Sequence, residues 1–121
     1  MEILKLHHAQ ISIPKGSEKI AREFYCQFLG LKEVTKPDSL TGRGGFWLEL
    51  GEIQIHVGTE DGIDRAATKS HLAYQVTVLQ KWRQKLMDLK VVVQEGIPIP
   101  GFDRFEFRDP FGNRVEFLER K

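Results

Sequence analysis

Hydrophobic and polar residues alternate along most short segments of this chain, and two longer segments show helical spacing instead. In the first alternating run Ala9, Ile11 and Ile13 share one face, which predicts a half-buried strand. Ile20 and Phe24 begin an apolar stripe at helical spacing. The pattern predicts, in order, a strand over residues 4–13, a helix over 17–29, and strands over 31–35, 46–50 and 53–57.

The same order of elements returns in the second half of the chain. The pattern there predicts a strand over residues 71–78, a helix over 79–89, and strands over 91–94, 102–108 and 114–118. His8 corresponds to His71, His56 to Glu116, and Trp47 to Arg104. This agreement predicts a duplication. We therefore expect a single α+β domain over residues 1–121, made of two βαβββ modules (about 1–58 and 70–121) with a connector over 59–69.

The segment before the last predicted strand has the composition of a tight turn. Asp109-Pro110 favours a turn because proline fixes φ and restricts the residue before it. Gly112-Asn113 adds the residue types that best tolerate positive φ. We expect this turn to set the register of the final strand, which carries Glu116.

Composition and charge narrow the function classes. Of 121 residues, 40% are hydrophobic and 29% charged, as in an ordinary globular domain, and the formal net charge of +1 gives no reason to expect nucleic acid or a membrane as partner. The single cysteine, Cys26, cannot form an intramolecular disulfide, and we interpret it as a small buried hydrophobe. With no signal-peptide or transmembrane pattern, we expect a cytoplasmic protein.

Three histidines and one carboxylate lie on the polar faces of predicted strands that are related by the repeat. His8, His56, His71 and Glu116 each stand opposite an apolar face suited to packing against a helix. Three imidazoles and a carboxylate suit a borderline divalent ion such as Zn²⁺, Ni²⁺, Fe²⁺ or Mn²⁺. We therefore predict that these four residues bind a metal. The alternative is a polar sheet face in water; His7, on the other parity, is not included.

Other polar and aromatic residues share these strand faces and are candidates for substrate binding. Arg104 could hold a carboxylate or phosphate through its planar fork, or could be an ordinary surface arginine. Trp47 and Phe102 could form an apolar wall or belong to the core. The candidate substrate-binding residues are Arg104, Trp47, Phe102, Gln10, Gln75 and Arg114.

The paired modules, His8 on the first strand and the ending Asp109-Pro-Phe-Gly-Asn-Arg-Val-Glu-Phe117 resemble the vicinal oxygen chelate superfamily, which includes glyoxalases, bleomycin resistance proteins and extradiol dioxygenases. The resemblance implies curved mixed sheets facing a central cavity, helices outside, a homodimer, and a metal held by residues matching His8, His71 and Glu116. His56 stands where the similar glyoxalase I has glutamate, which leaves more positive charge on the metal. The short chain also puts a glutathione substrate in doubt.

The resemblance implies a metal-dependent enzyme acting on a small oxygen-rich molecule, by lyase, isomerase or related chemistry. The metal would be a Lewis acid for two neighbouring substrate oxygens, and Glu116 a catalytic base as well as a ligand. A first alternative is a non-catalytic drug-binding or resistance protein. Others are an iron-dependent extradiol dioxygenase and a thiol transferase of the fosfomycin type. The sequence leaves open the substrate, and whether a site is built within one chain or across a dimer.

Overall fold

The computed structural model describes residues 1–121 and divides them into two compact units, Met1–Ile63 and Asp64–Lys121. Each unit is built around one four-stranded mixed sheet with a helix. The predicted α+β class and the two βαβββ modules are therefore confirmed. The boundary between units falls inside the segment predicted as a connector. No helix is long and apolar enough to cross a membrane.

The first unit has the strand order β1-β4-β3-β2. Strands β1 and β4 run parallel, and the other neighbours are antiparallel. The helix α1 continues directly into a wider π-helical segment, and Phe24 and Tyr25 of that segment are buried with Ile13, Leu48 and Val57. The bounds are β1 His8–Ile13, α1 Glu18–Arg22, π-helical segment Glu23–Phe28, β2 Lys32–Val34, a 3-10 segment Asp38–Arg43, β3 Phe46–Leu50 and β4 Ile53–Thr59.

The second unit repeats this topology with the order β5-β8-β7-β6. Strands β5 and β8 are the parallel pair. Its core is aromatic, because Phe105, Phe107 and Phe117 pack with Tyr74 and Leu86. The bounds are a 3-10 segment Arg65–Ala67, β5 His71–Gln75, α2 Leu79–Asp88, β6 Gln94–Glu95, β7 Phe102–Arg108 and β8 Arg114–Arg120.

Several predicted element bounds differ from the structure, each for a local reason. The first strand begins at His8 rather than at residue 4, because its partner β4 begins opposite that position. The fifth strand ends at Gln75, since Val78 adopts left-handed φ of 53° where α2 begins. The strand predicted over 91–94 is reduced to Gln94–Glu95, after Lys90 at φ 61°. The loop over 36–45 contains a short 3-10 helix.

The turn before β8 is organised by one buried carboxylate. Asp109 is 5% exposed, and its Oδ1 accepts hydrogen bonds from the backbone N–H of Phe111 at 2.9 Å and of Asn113 at 2.8 Å. Its Oδ2 accepts a third from Nδ2 of Asn113 at 2.9 Å. The backbone N–H of Asp109 also donates to the carbonyl of Asn113. Such side-chain bonding to the nearby backbone stabilises a turn and fixes where the next strand begins.

Candidate functional site

The parallel strand pairs place the predicted ligands at equivalent positions in the two units. In the first unit His8 stands opposite Gln54, and Gln10 opposite His56. In the second, His71 stands opposite Arg114, and Ala73 opposite Glu116. The two registers coincide when His8 is matched with His71 and His56 with Glu116. The pairing proposed from the repeat is therefore the pairing that the hydrogen-bonded sheets show.

The antiparallel pairs correct the predicted equivalence of Trp47 and Arg104. Trp47 stands opposite His56, and Glu106 stands opposite Glu116, so Trp47 corresponds to Glu106. The error is two residues along the strand. Side chains on a strand repeat every two residues, so a shift of two leaves every face unchanged and only the hydrogen-bond register reveals it.

In the first unit, three rings form a stack. The Trp47 and His56 rings lie 3.9 Å apart between centroids at an interplanar angle of 1°, and the His56 and His8 rings 4.1 Å apart at 16°. His56 is 7% exposed, whereas His8 is exposed. The structure therefore brings the two predicted ligands of this unit together, with the indole supporting the buried imidazole.

One hydrogen bond, burial and nearby charges favour the neutral form of the His56 imidazole. Its Nε2 lies 2.9 Å from Oε1 of Gln54, so with that amide orientation Nε2 carries the hydrogen. Burial is the largest cause that lowers the pKa of His56, and the nearby His8, His7 and Lys36 lower that pKa further. A neutral imidazole keeps a lone pair on one nitrogen, which is the form that binds metal ions.

In the second unit, the two predicted ligands contact each other directly. His71 Nε2 lies 3.3 Å from Glu116 Oε1, and Glu116 is 6% exposed. His71 Nδ1 lies 3.0 Å from the carbonyl of Lys69, which can only accept, so Nδ1 carries a hydrogen. His71 Nε2 and Glu116 Oε1 therefore point at each other. Either a proton or a metal cation is required between these two atoms.

Two arginines and a second carboxylate surround this pair. Arg104 Nη1 donates to Glu116 Oε1 at 3.0 Å and lies 3.3 Å from Glu106 Oε1. Arg114 Nη2 donates to Glu106, and this hydrogen bond is the main cause that lowers the pKa of Glu106. Gly96 provides room for Arg104, because a Cβ there would lie 2.7 Å from the guanidinium carbon. The predicted substrate residues Arg104 and Arg114 thus hold acidic side chains within their own unit.

The remaining predicted substrate residues occupy different surroundings. Gln10 lines a cleft with His8, His56 and Trp47, and its amide lies so close to Gly58 that a Cβ there would be 2.4 Å from Nε2. Phe102 lines a second cleft with Arg104, and the Arg120 guanidinium lies 4.9 Å from its ring centroid. Gln75 is exposed on β5. A role in substrate binding stays a prediction for all six residues.

The donor chemistry of the four predicted ligands fits a borderline divalent ion. As placed, no group of three or more His, Cys, Asp or Glu side chains lies together to hold one. The His71–Glu116 pair has the spacing and the anchored imidazole of a half-site. The stacked His8 and His56 rings do not form such a half-site, because the lone pairs of parallel rings do not converge on one point. At least one of these rings would have to rotate.

Sequence reasoning missed three residues around these pairs. Glu106 shares a strand face with Arg104, so alternation along β7 could have identified it. Lys36 and Arg43 line the cleft beside His8 and His56 but lie on the segment between β2 and β3. No periodic pattern in that segment signals their position.

The sequence model of the Glyoxalase/Bleomycin resistance protein/Dioxygenase superfamily matches residues 5–117. The chain therefore belongs to this superfamily, as the resemblance in its sequence predicts. Members of the superfamily often bind divalent metals, and some are metal-dependent enzymes. The comparison with curated proteins gave no match.

Solved structures extend the likeness over the whole chain. A protein from Bacillus anthracis assigned to the glyoxalase family is 36% identical, with a TM-score of 0.89, and the match covers 100% of this chain and 98% of that one. A glyoxalase/dioxygenase from Nostoc punctiforme is 20% identical, with a TM-score of 0.78 and coverage of 97% and 91%. A fosfomycin resistance protein from Listeria monocytogenes is 15% identical, also with a TM-score of 0.78, and coverage of 99% and 94%. At these identities, the Nostoc and Listeria structures support a shared fold and not a shared activity.

Proposed function

We propose that the protein is a metal-dependent enzyme of the glyoxalase type that acts on a small oxygen-rich substrate. The proposed ligands are His8, His56, His71 and Glu116. The observation that carries the proposal is the pair of His71 and Glu116. In neutral His71 the hydrogen on Nδ1 is donated to the Lys69 carbonyl, and the Nε2 lone pair faces the Glu116 carboxylate at 3.3 Å. Two acceptors so placed are stabilised by a cation.

A bound ion would supply Lewis acidity for neighbouring oxygens of the substrate. The chain itself supplies a buried carboxylate for proton transfer. Glu116 can accept a proton from a substrate carbon or oxygen only through an oxygen that is not bound elsewhere. Arg104, which donates to Glu116 Oε1 at 3.0 Å, would keep the carboxylate in position while the other oxygen acts. Arg104 is thus proposed to position the base.

One observation favours a second candidate, a protein that binds a small molecule without catalysis. The Arg104 guanidinium already neutralises Glu116 in the absence of any other cation, and it also contacts Glu106. A carboxylate paired in this way needs no metal for its stability. Both candidates take a small molecule as partner, and both are compatible with a homodimer, which we propose by the superfamily resemblance.

Metal binding separates the two candidates. The purified protein is stripped with a chelator, dialysed against Zn²⁺, Ni²⁺, Mn²⁺ or Fe²⁺, and analysed for bound metal. The enzyme proposal expects tight binding of at least one ion, and a loss of affinity of tenfold or more in His71→Ala and in Glu116→Gln, on the scale seen when a ligand or its support is removed.

Glu52→Gln is the matched control for Glu116→Gln, because Glu52 is an exposed glutamate outside the predicted ligand set and should leave metal affinity unchanged. Absence of binding for every ion tested would support the non-catalytic candidate. Full metal occupancy in Glu116→Gln would contradict the ligand assignment.

A further inference from the structure

The first unit contains an open cleft of about 660 Å³ whose charged lining has one sign. Lys36 and Arg43 carry permanent positive charges, and His7, His8 and His56 add imidazoles. No aspartate or glutamate lines this cleft. The whole chain has a formal net charge of only +1, so the cationic lining is a local asymmetry rather than a consequence of an overall basic composition.

The Lys36 ammonium is held at the cleft by a hydrogen bond, whereas Arg43 is held there only through its backbone. Lys36 Nζ donates one hydrogen bond to the Gly44 carbonyl at 2.7 Å, which leaves two of its three ammonium hydrogens for another acceptor. The Thr59 hydroxyl donates to the Arg43 carbonyl at 3.4 Å. The Arg43 side chain is exposed and makes no ion pair or hydrogen bond within the protein. Its fork of donors is therefore available to a ligand.

The segment that carries these cations is also fixed against the sheet. Gly45 has φ of 74°, and a Cβ there would lie 2.0 Å from the Val57 carbonyl oxygen, so the backbone of β3 starts in direct contact with β4. Gly44, with φ of 75°, leads into this contact and itself lines the cleft. The backbone that forms the cleft thus has little freedom to move, so ligand binding costs the conformational entropy of side chains and not of this segment.

We propose that this cleft binds the anionic group of a substrate, a carboxylate or a phosphonate or phosphate, through Arg43 and Lys36, beside His8 and His56. A cleft lined by one sign of charge concentrates ligands of the opposite sign. Arg and Lys together supply bidentate and single charge-assisted hydrogen bonds to such oxyanions. The inference rests on the proposed function, because it assigns a substrate class to the same site.

The test uses three probes that share one ring and differ in their polar group: phenylphosphonate, benzoate and neutral benzamide. Binding to the metal-stripped full chain is followed by the fluorescence of Trp47, which also lines the cleft. The chain has two tryptophans, so Trp82→Phe provides the background in which Trp47 is the single reporter. The tighter of the two anions identifies the preferred headgroup.

We expect both anions to bind at least tenfold more tightly than benzamide. Arg43→Gln should weaken both anions about tenfold, equivalent to about 1.4 kcal/mol, and leave benzamide unaffected. Lys19→Gln is the matched control, because Lys19 is an exposed cation of the same unit that does not line the cleft. Lys36→Arg, which retains the charge, should keep anion binding.

Equal binding of anions and benzamide would overturn the inference, and so would an equal loss in Arg43→Gln and Lys19→Gln. The result of this binding test does not depend on the result of the metal-binding test, because the probes are measured on metal-stripped protein. A protein that binds no metal but binds the anions through Arg43 retains this inference and loses the metal-dependent enzyme. A protein that binds metal but does not distinguish the probes retains the enzyme proposal alone.

Discussion

The buried carboxylate of Asp109 should contribute more to stability than the exposed carboxylates of the second unit. It is 5% exposed and accepts three hydrogen bonds from the residues of its own turn, two from backbone N–H groups and one from the Asn113 amide. Asp109→Ala removes both acceptor oxygens, and with them all three hydrogen bonds. The perturbation therefore tests whether this turn, and not hydrophobic pairing alone, sets β8 and Glu116 in register.

The expected loss follows from the geometry. A hydrogen bond to a charged group contributes about 1.5–3 kcal/mol. Phe111 and Asn113 are only half-buried, so water can partly replace the lost acceptors. The net loss should therefore be well below the sum of three such bonds, at about 2–4 kcal/mol of the free energy of unfolding. For a domain of this size that is a large fraction of the total.

Urea denaturation followed by circular dichroism measures the loss. Asp103→Ala is the matched control, because Asp103 is exposed on the neighbouring strand β7 and pairs only with Lys121 at 3.6 Å. Asp103→Ala should lower the free energy of unfolding by less than about 0.5 kcal/mol. A loss below about 1 kcal/mol for Asp109→Ala, or equal losses for the two variants, would refute the reasoning.

Two further predictions concern the sheets. Burial, with the charge of Asp109, raises the pKa of Tyr74 from 10.0 to about 12. The hydroxyl therefore stays protonated to higher pH in the folded state than in the unfolded state. Its contribution to stability is fully present below pH 10 and is lost as pH rises towards 12. The loss amounts to at most about 2.7 kcal/mol, so the stability of wild type relative to Tyr74→Phe should fall over this range. A constant difference between the two proteins would contradict the prediction. Gly45→Ala places a Cβ against the Val57 carbonyl and should destabilise the protein far more than Gly16→Ala, which has similar φ but no atom within 4 Å. Equal thermal midpoints for these two glycine variants would show that φ alone limits Gly45.

Alternation in the sequence predicts which face each strand residue occupies, but not where a strand finds a partner. Strands β3 and β7 have the predicted bounds, Phe46–Leu50 and Phe102–Arg108. The first strand does not, because alternation continues upstream of His8 while its paired register with β4 begins at His8, opposite Gln54. Pairing depends on two segments at once, and periodicity describes only one.

The same limit explains the mixed result for the candidate site. The repeat assigns His8 to His71 and His56 to Glu116, and both matches hold in the sheet registers. The match of Trp47 with Arg104 is wrong by two residues, a shift that preserves every strand face. Lys36 and Arg43 lie outside the periodic elements, so only the folded segment between β2 and β3 brings them to the cleft.

The central proposal is that the imidazoles of His8, His56 and His71 and the carboxylate of Glu116 bind one metal ion. X-ray absorption of the zinc-loaded protein tests it most directly, because scattering from imidazole rings counts the histidine ligands. Three imidazoles are expected in wild type, two in His56→Gln, and an unchanged spectrum in Glu52→Gln, whose side chain is exposed and outside the predicted ligand set. A spectrum without imidazole scattering, or one that is identical in wild type and His56→Gln, would contradict it.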